Sequence, residues 1–207
     1  MTIQADRVTA PALLPPVEGL SDARRRLYEA AVTLFGDRGF HAVSVRDLAA
    51  ALGQQPGALY AHVASKQELL FELMRLGVHA HRDALKAALL DAGREPEEQV
   101  RALTREHVLM HLRFQGLARM TNREARAMSD EERAEVARIR IESQQMFQDV
   151  IDRGIRLGRF TPADSELAVI AIGGMGVRAA EWWDPTSPHS PEHIADTYAD
   201  FAVRLLT

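Results

Sequence analysis

Helix start signals recur along this chain, and they restrict its fold more than any other feature. Ser21, Ser44, Ser65, Ser129 and Ser190 each precede a stretch of helical periodicity, and Glu68 and Glu132 stand three positions after Ser65 and Ser129. A serine hydroxyl accepts from the unpaired amides of a first helical turn, and a glutamate at the third position bonds back to the cap backbone. Pro56, Pro96 and Pro191 suit first-turn positions, where proline's fixed φ is helical and no amide is lost. Leu27, Ala30, Ala31, Leu34 and Phe35 follow the i, i+3, i+4, i+7, i+8 spacing of one helix face. No segment alternates apolar and polar residues between hairpin turns. The pattern predicts an all-α chain of roughly nine helices: about 22–38 ending at Gly39, a short one from Ser44 to Gly53, another from Pro56 to His62, and a long one from Ser65 to about Leu90. Further starts fall at Pro96, Ser129, Thr161 to Asp164 and Ser190.

The chain has 207 residues and no cysteine, so disulfides, cysteine zinc sites and thiol nucleophiles are excluded. Its longest apolar run, Leu167 to Val177, is far below the roughly 20 residues that cross a bilayer. No membrane association and a cytoplasmic location are therefore expected. Residues 1–20 carry Pro11, Pro15 and Pro16 and read as a flexible arm. The net charge of −4 is unevenly spread: residues 1–66 hold 7 Lys and Arg against 6 Asp and Glu, leaving −5 for the rest. A nucleic-acid contact is expected in that N-terminal segment, where Arg24, Arg25 and Arg26 cluster.

Val45 to Leu52, Gly53 and then Pro56 to His62 have the form of a helix-turn-helix, two short helices about a glycine turn. Around it, Leu34-Phe35-x-x-x-Gly39-Phe40, Ser44-Val45-x-x-Leu48-Ala49, Gly53, Gly57-x-Leu59-Tyr60-x-His62 and Ser65-Lys66-x-x-Leu69-Leu70 resemble the TetR-family signature in order and spacing. The resemblance implies a three-helix DNA-binding domain at 21–66 and a larger helical ligand-binding and dimerisation domain at 67–207. It implies a dimer on double-stranded operator DNA, with Ser44, Arg46, Gln54, Gln55, Gly57, Ala58, Tyr60, His62 and Lys66 as contact candidates. Gly57 lets backbone approach the sugar-phosphate chain, Tyr60 and His62 offer polar tips to phosphates, Lys66 stands at a helix N-terminus, and glutamine can pair with adenine. Gln54, Pro56 and Val63 depart from the Val, Lys or Arg, and Phe common in the family.

Beyond Lys66 no catalytic motif occurs, so no enzyme activity and no cofactor are expected. Gly174-x-Gly176-x-x-Ala179 after Ala168 to Ile172 imitates a dinucleotide-binding turn, but prolines at 185, 188 and 191 replace the second strand such a site needs. The oxidoreductase reading stays a distant alternative, and Glu166 to Asp184 reads as a glycine-bearing helix. By resemblance the dimer forms through this helix and the last one, with Gly173, Gly174, Gly176, Tyr198 and Phe201 at the interface. His107 and His111, four apart, have metal-ligand spacing without an identifiable partner, so no metal is expected.

His111-Leu-Arg-Phe114, Thr121-Asn-Arg-Glu124, Met128-Ser-x-Glu131 and Asp196-x-Tyr-Ala-Asp-Phe201 resemble the acyl-coenzyme A-responsive TetR regulators of lipid and steroid breakdown. That resemblance implies a ligand-responsive repressor released by an acyl-coenzyme A or related lipid-derived anion. Arg119 and Arg123 would meet the anionic end, and Met110, His111, Phe114, Met120, Met146 and Phe147 would line an apolar tunnel. The alternative is an efflux regulator answering to a hydrophobic drug.

Overall fold

The computed structural model describes residues 11–207, and every element among them is helical. Ser21 caps α1 (Asp22–Arg38), accepting from the Arg24 amide, and Gly39 ends it at φ 80°. α2 (Val45–Ala51) opens on a capping box in which Ser44 and Asp47 exchange backbone-to-side-chain bonds of 3.1 and 2.8 Å. Gly53, at φ 63°, supplies the left-handed residue that turns the chain toward α3. α3 (Pro56–Leu59) is shorter than its apolar pattern suggests: Tyr60, Ala61 and His62 leave the helix in tight turns, the His62 amide bonding the Leu59 carbonyl at 2.9 Å.

Ser65 then caps the long α4 (Lys66–Asp91). Leu27, Phe35, Leu48 and Leu59 from the first three helices close a core over Leu69, Leu70 and Leu73 of α4. A polar clamp reinforces that seam. Tyr28 donates to Glu72 at 2.6 Å, Arg24 Nε donates to Tyr28 at 2.9 Å, and Arg24 also pairs with Glu72. Burial and the glutamate raise the Tyr28 phenol to about 12. Arg24, expected near DNA phosphates, is thus engaged between helices.

α5 (Pro96–Arg113) runs through the centre of the larger part and touches α4, α7 (Asp130–Arg156), α8 (Ser165–Trp182) and α9 (Pro191–Leu206). The chain breaks at Phe114, φ −116° and ψ 47°, before α6 (Gln115–Arg123), followed by a 3-10 turn, Glu124–Ala127. The break falls on neither a glycine nor a proline, although Gly116 follows in the first turn of α6. Its cause is tertiary: Gln115 Nε2 turns to the last carbonyls of α8, Ala180 O at 2.8 Å and Trp183 O at 2.5 Å. α6 also rests on α1, where a Cβ on Gly116 would stand 3.2 Å from Val32 Cγ1.

The segment that imitates a dinucleotide-binding turn lies inside α8, with no strand among the described residues, so the oxidoreductase alternative has no structural basis. Of the expected N-terminal arm, residues 1–10 lie outside the described residues. Leu14 and Pro15 are buried, Leu14 within the core of the first helices. No helix among the described residues is long and apolar enough to cross a membrane.

Candidate functional site

Two surfaces carry the polar chemistry. The first is the outer side of α2 and α3. Arg46, Gln54, Gln55, Gly57, Ala58 and Tyr60 are exposed there, Tyr60 at 57%, and His62 is half-buried. Nothing lies within 4 Å of where a Gly57 Cβ would be, so another molecule can approach that backbone. Ser44 is exposed, but its hydroxyl already donates to Asp47 at 2.5 Å and caps α2. Lys66 departs from its expected role. Its ammonium donates to the carbonyls of Phe40 at 2.8 Å and Val43 at 2.7 Å and lies 4.1 Å from the Phe40 ring centroid. The lysine therefore fastens the loop between α1 and α2, and partial burial lowers its pKa.

The second is a cavity of about 340 Å³ enclosed by α4, α5, α6, α7 and α8. Met110, His111, Phe114 and Phe147 line it as expected. The other four candidates do not. Arg119 donates to Ala180 O at 2.6 Å and Glu181 O at 3.2 Å, and Arg123 pairs with Glu181, so both neutralise the negative C-terminal end of α8. Met120 is fully buried in the first core, and Met146 packs on the core around Phe147. Sequence proximity to Phe114 suggested these arginines, whereas the fold brings a different one to the cavity.

That residue is Arg140 of α7. Its guanidinium lines the cavity, donates to Thr121 O at 2.6 Å, and has no carboxylate within ion-pair distance among the described residues. Burial lowers its pKa. Asn122 also lines the cavity, and its Nδ2 is buried without a hydrogen-bond partner among the described residues. A signal was present in the sequence: Val136, Arg140, Ser143 and Phe147 share one helical stripe, three of them apolar or small.

His81 of α4 joins His107 and His111 at the cavity wall. Carbonyls accept only, so the contact of His107 Nε2 with Gly173 O at 2.9 Å puts the proton on Nε2. His107 Nδ1 then accepts from His81 Nε2 at 2.9 Å. His111 Nδ1 donates to His107 O at 2.8 Å, leaving its Nε2 lone pair. Burial first, and neighbouring positive charge second, holds His81 and His111 neutral, His111 at about 3; burial also lowers His107. One ring nitrogen from each lies within 4.8 Å of the others, a donor set suited to a divalent cation. Charge balance disfavours it: no carboxylate joins the group, and Arg140 is close enough to depress two of the imidazoles.

The interface candidates divide as well. A Cβ on Gly176 would stand 2.5 Å from His107 Nε2 and 3.0 Å from His111 Nδ1, so Gly176 packs within the protomer rather than between protomers. Gly173 and Gly174 border the cavity with nothing near their Cβ positions, and Tyr198 is half-buried on a core around Trp183. Phe201 is 47% exposed, and Leu167, Ile170, Val177, Trp182 and Leu205 are also exposed on α8 and α9.

Residues 27–73 match the bacterial regulatory proteins of the tetR family, and residues 93–206 match the tetracyclin repressor-like C-terminal domain. The chain belongs to the TetR family. It is a transcriptional regulator of that family and not an enzyme. The repressor KstR2 of Mycobacterium tuberculosis (strain CDC 1551 / Oshkosh) is 29% identical over 185 residues, covering 88% of this chain and 92% of KstR2. A solved tetR-family regulator from Rhodococcus RHA1 superposes with a TM-score of 0.83 at 30% identity, over 90% of this chain and 97% of that one. AibR, solved with isovaleryl coenzyme A and operator DNA, shares the fold with a TM-score of 0.77 at 24% identity, over 86% and 96% of the two chains.

Proposed function

We propose that this TetR-family regulator binds a palindromic operator as a homodimer and is released from it by an acyl-coenzyme A or related lipid-derived anion. The observation that carries the effector class is the cavity, whose walls are largely apolar and whose one ionised side chain among the described residues is Arg140, with no ion-pair partner among them. No Asp or Glu among the described residues lines it, so a cationic drug would meet a like charge and no counter-charge there. The named relatives agree in kind: KstR2 is a repressor, and AibR binds an acyl-coenzyme A. The exposed apolar stripe of α8 with Phe201 and Leu205 of α9 suits a second copy of the chain, whose two α3 helices would then face successive turns of one DNA groove.

The proposed route of coupling is short. α4 carries Gly77, Val78 and His81 at the cavity and Leu69 and Leu70 in the core of the DNA-binding helices. α6 lines the same cavity and rests on α1. A ligand that binds better when α4 and α6 are displaced shifts the population toward a recognition-helix spacing that does not fit DNA. The test is anisotropy of the protein on fragments from upstream of its own gene, titrated with acyl-coenzyme A of graded chain length, free acids and cationic dyes. Release by the thioesters supports the proposal, and release by the dyes alone overturns it.

A further inference from the structure

We propose that Arg140 and Asn122 form a carboxylate seat inside the cavity, and that the enclosed part of the effector is a compact apolar skeleton bearing its own carboxylate. This rests on the reading of the cavity as the effector site.

Two groups that line the cavity are left unsatisfied among the described residues. A guanidinium has five N–H donors, and only one bond, to Thr121 O, is made within the protein. A buried cation without a partner is costly, so the site as folded lacks an anion. Asn122 Nδ2 is the second, a buried amide donor with nothing to donate to. The neighbouring hydroxyls donate elsewhere, Thr121 Oγ1 to Ala118 O at 3.0 Å and Ser143 Oγ to Ile139 O at 3.3 Å, and among the described residues neither accepts from Arg140 or Asn122. A carboxylate accepts on both oxygens and matches the fork of a guanidinium.

Size decides which part of an effector is enclosed. The cavity, about 340 Å³ and open on one side, takes in a compact skeleton and leaves room for a larger attached group to extend outward. Arg140 is buried in the wall of this cavity, so the group that it meets belongs to the part of the effector held inside. Val78, Leu85, Leu117, Phe147 and Val169 form the apolar walls around the skeleton. The neutral histidines face the same space and add no positive charge, so among the described residues Arg140 is the only side chain lining it that carries full charge at neutral pH.

The test uses three probes of equal length, octanoate, octanol and octylamine, titrated calorimetrically into the full-length dimer. Octanoate should bind about tenfold or more tighter than octanol, and octylamine weakest. Arg140→Gln should bring octanoate to within about threefold of octanol while leaving octanol unchanged, and Arg140→Lys should restore part of the preference. Should Arg140→Gln fail to fold, Asn122→Ala should weaken octanoate about threefold or more and spare octanol. Equal binding of octanoate and octanol to the wild type, or a preference that survives both variants, overturns the seat. Operator release is measured in parallel with octanoyl-coenzyme A, which has no free carboxylate, and with the coenzyme A monothioester of octanedioic acid, which keeps one, and this separates the two readings. Release without a carboxylate preference removes the seat and keeps the effector site, whereas a preference without any effect on DNA keeps the seat and removes the regulatory role.

Discussion

Replacing Lys66 by Met separates two roles that the sequence alone could not distinguish, a phosphate contact and an internal anchor. In the fold the ammonium holds the carbonyls of Phe40 and Val43 at 2.8 and 2.7 Å, over the Phe40 ring. Bonds from a charged donor contribute about 1.5–3 kcal/mol each when buried, and the cation–ring contact about 0.5–1 kcal/mol. Lys66 is only partly buried, and solvent screening reduces the total to about 2 kcal/mol. In a chain of this size that loss lowers the thermal midpoint by about 4–8 °C. The assay pairs differential scanning fluorimetry with operator affinity across a salt series. An anchor predicts a lower midpoint and an unchanged slope of log affinity against log salt. A midpoint that stays put while the slope falls by about one phosphate would refute the anchoring role.

Gly176→Ala places a methyl 2.5 Å from His107 Nε2 and should cost about 1–3 kcal/mol by overpacking, read as a lower midpoint with the dimer intact. Gly174→Leu, at a position with open space around it, should shift sedimentation toward monomer with little change in protomer folding; an unchanged dimer places the interface elsewhere. The cavity histidines have folded pKa values below 6.5, so their stabilisation is complete above that pH. It is lost as pH falls, by up to about 1.4 kcal/mol per pH unit for each histidine. Thermal midpoints should therefore decline between pH 6.5 and 5, and a flat profile would show that these rings are not held neutral. Tyr60→Ala should weaken operator binding evenly across sequences without lowering the midpoint, because the side chain is 57% exposed.

The elements that could be read from the sequence are those specified locally. Ser21, Ser44, Ser65, Ser129 and Ser190 cap helices because a hydroxyl and a nearby amide decide the matter within four residues. The break at Phe114 escaped because its cause, Gln115 reaching the end of α8, lies more than sixty residues away. The same distance explains the cavity. Met110, His111, Phe114 and Phe147 were named from the resemblance to lipid-responsive regulators, while Arg140 and His81 come from helices on either side of the stretch that drew attention to Arg119 and Arg123. Gly176 was assigned to the dimer because small residues permit close approach, which is correct in kind, but the partner is His107 of its own chain.

The central claim is that an effector in the cavity changes the spacing of the two recognition helices. The chain has no cysteine, so Ala50→Cys introduces a single label on the exposed side of α2 in each protomer. Double electron–electron resonance between the two labels then reports the spacing directly. With operator bound, the distribution should be narrow and consistent with recognition helices about 34 Å apart, one turn of DNA. Saturation with octanoyl-coenzyme A should displace it as the DNA is released. Release with an unchanged distribution would contradict the mechanism.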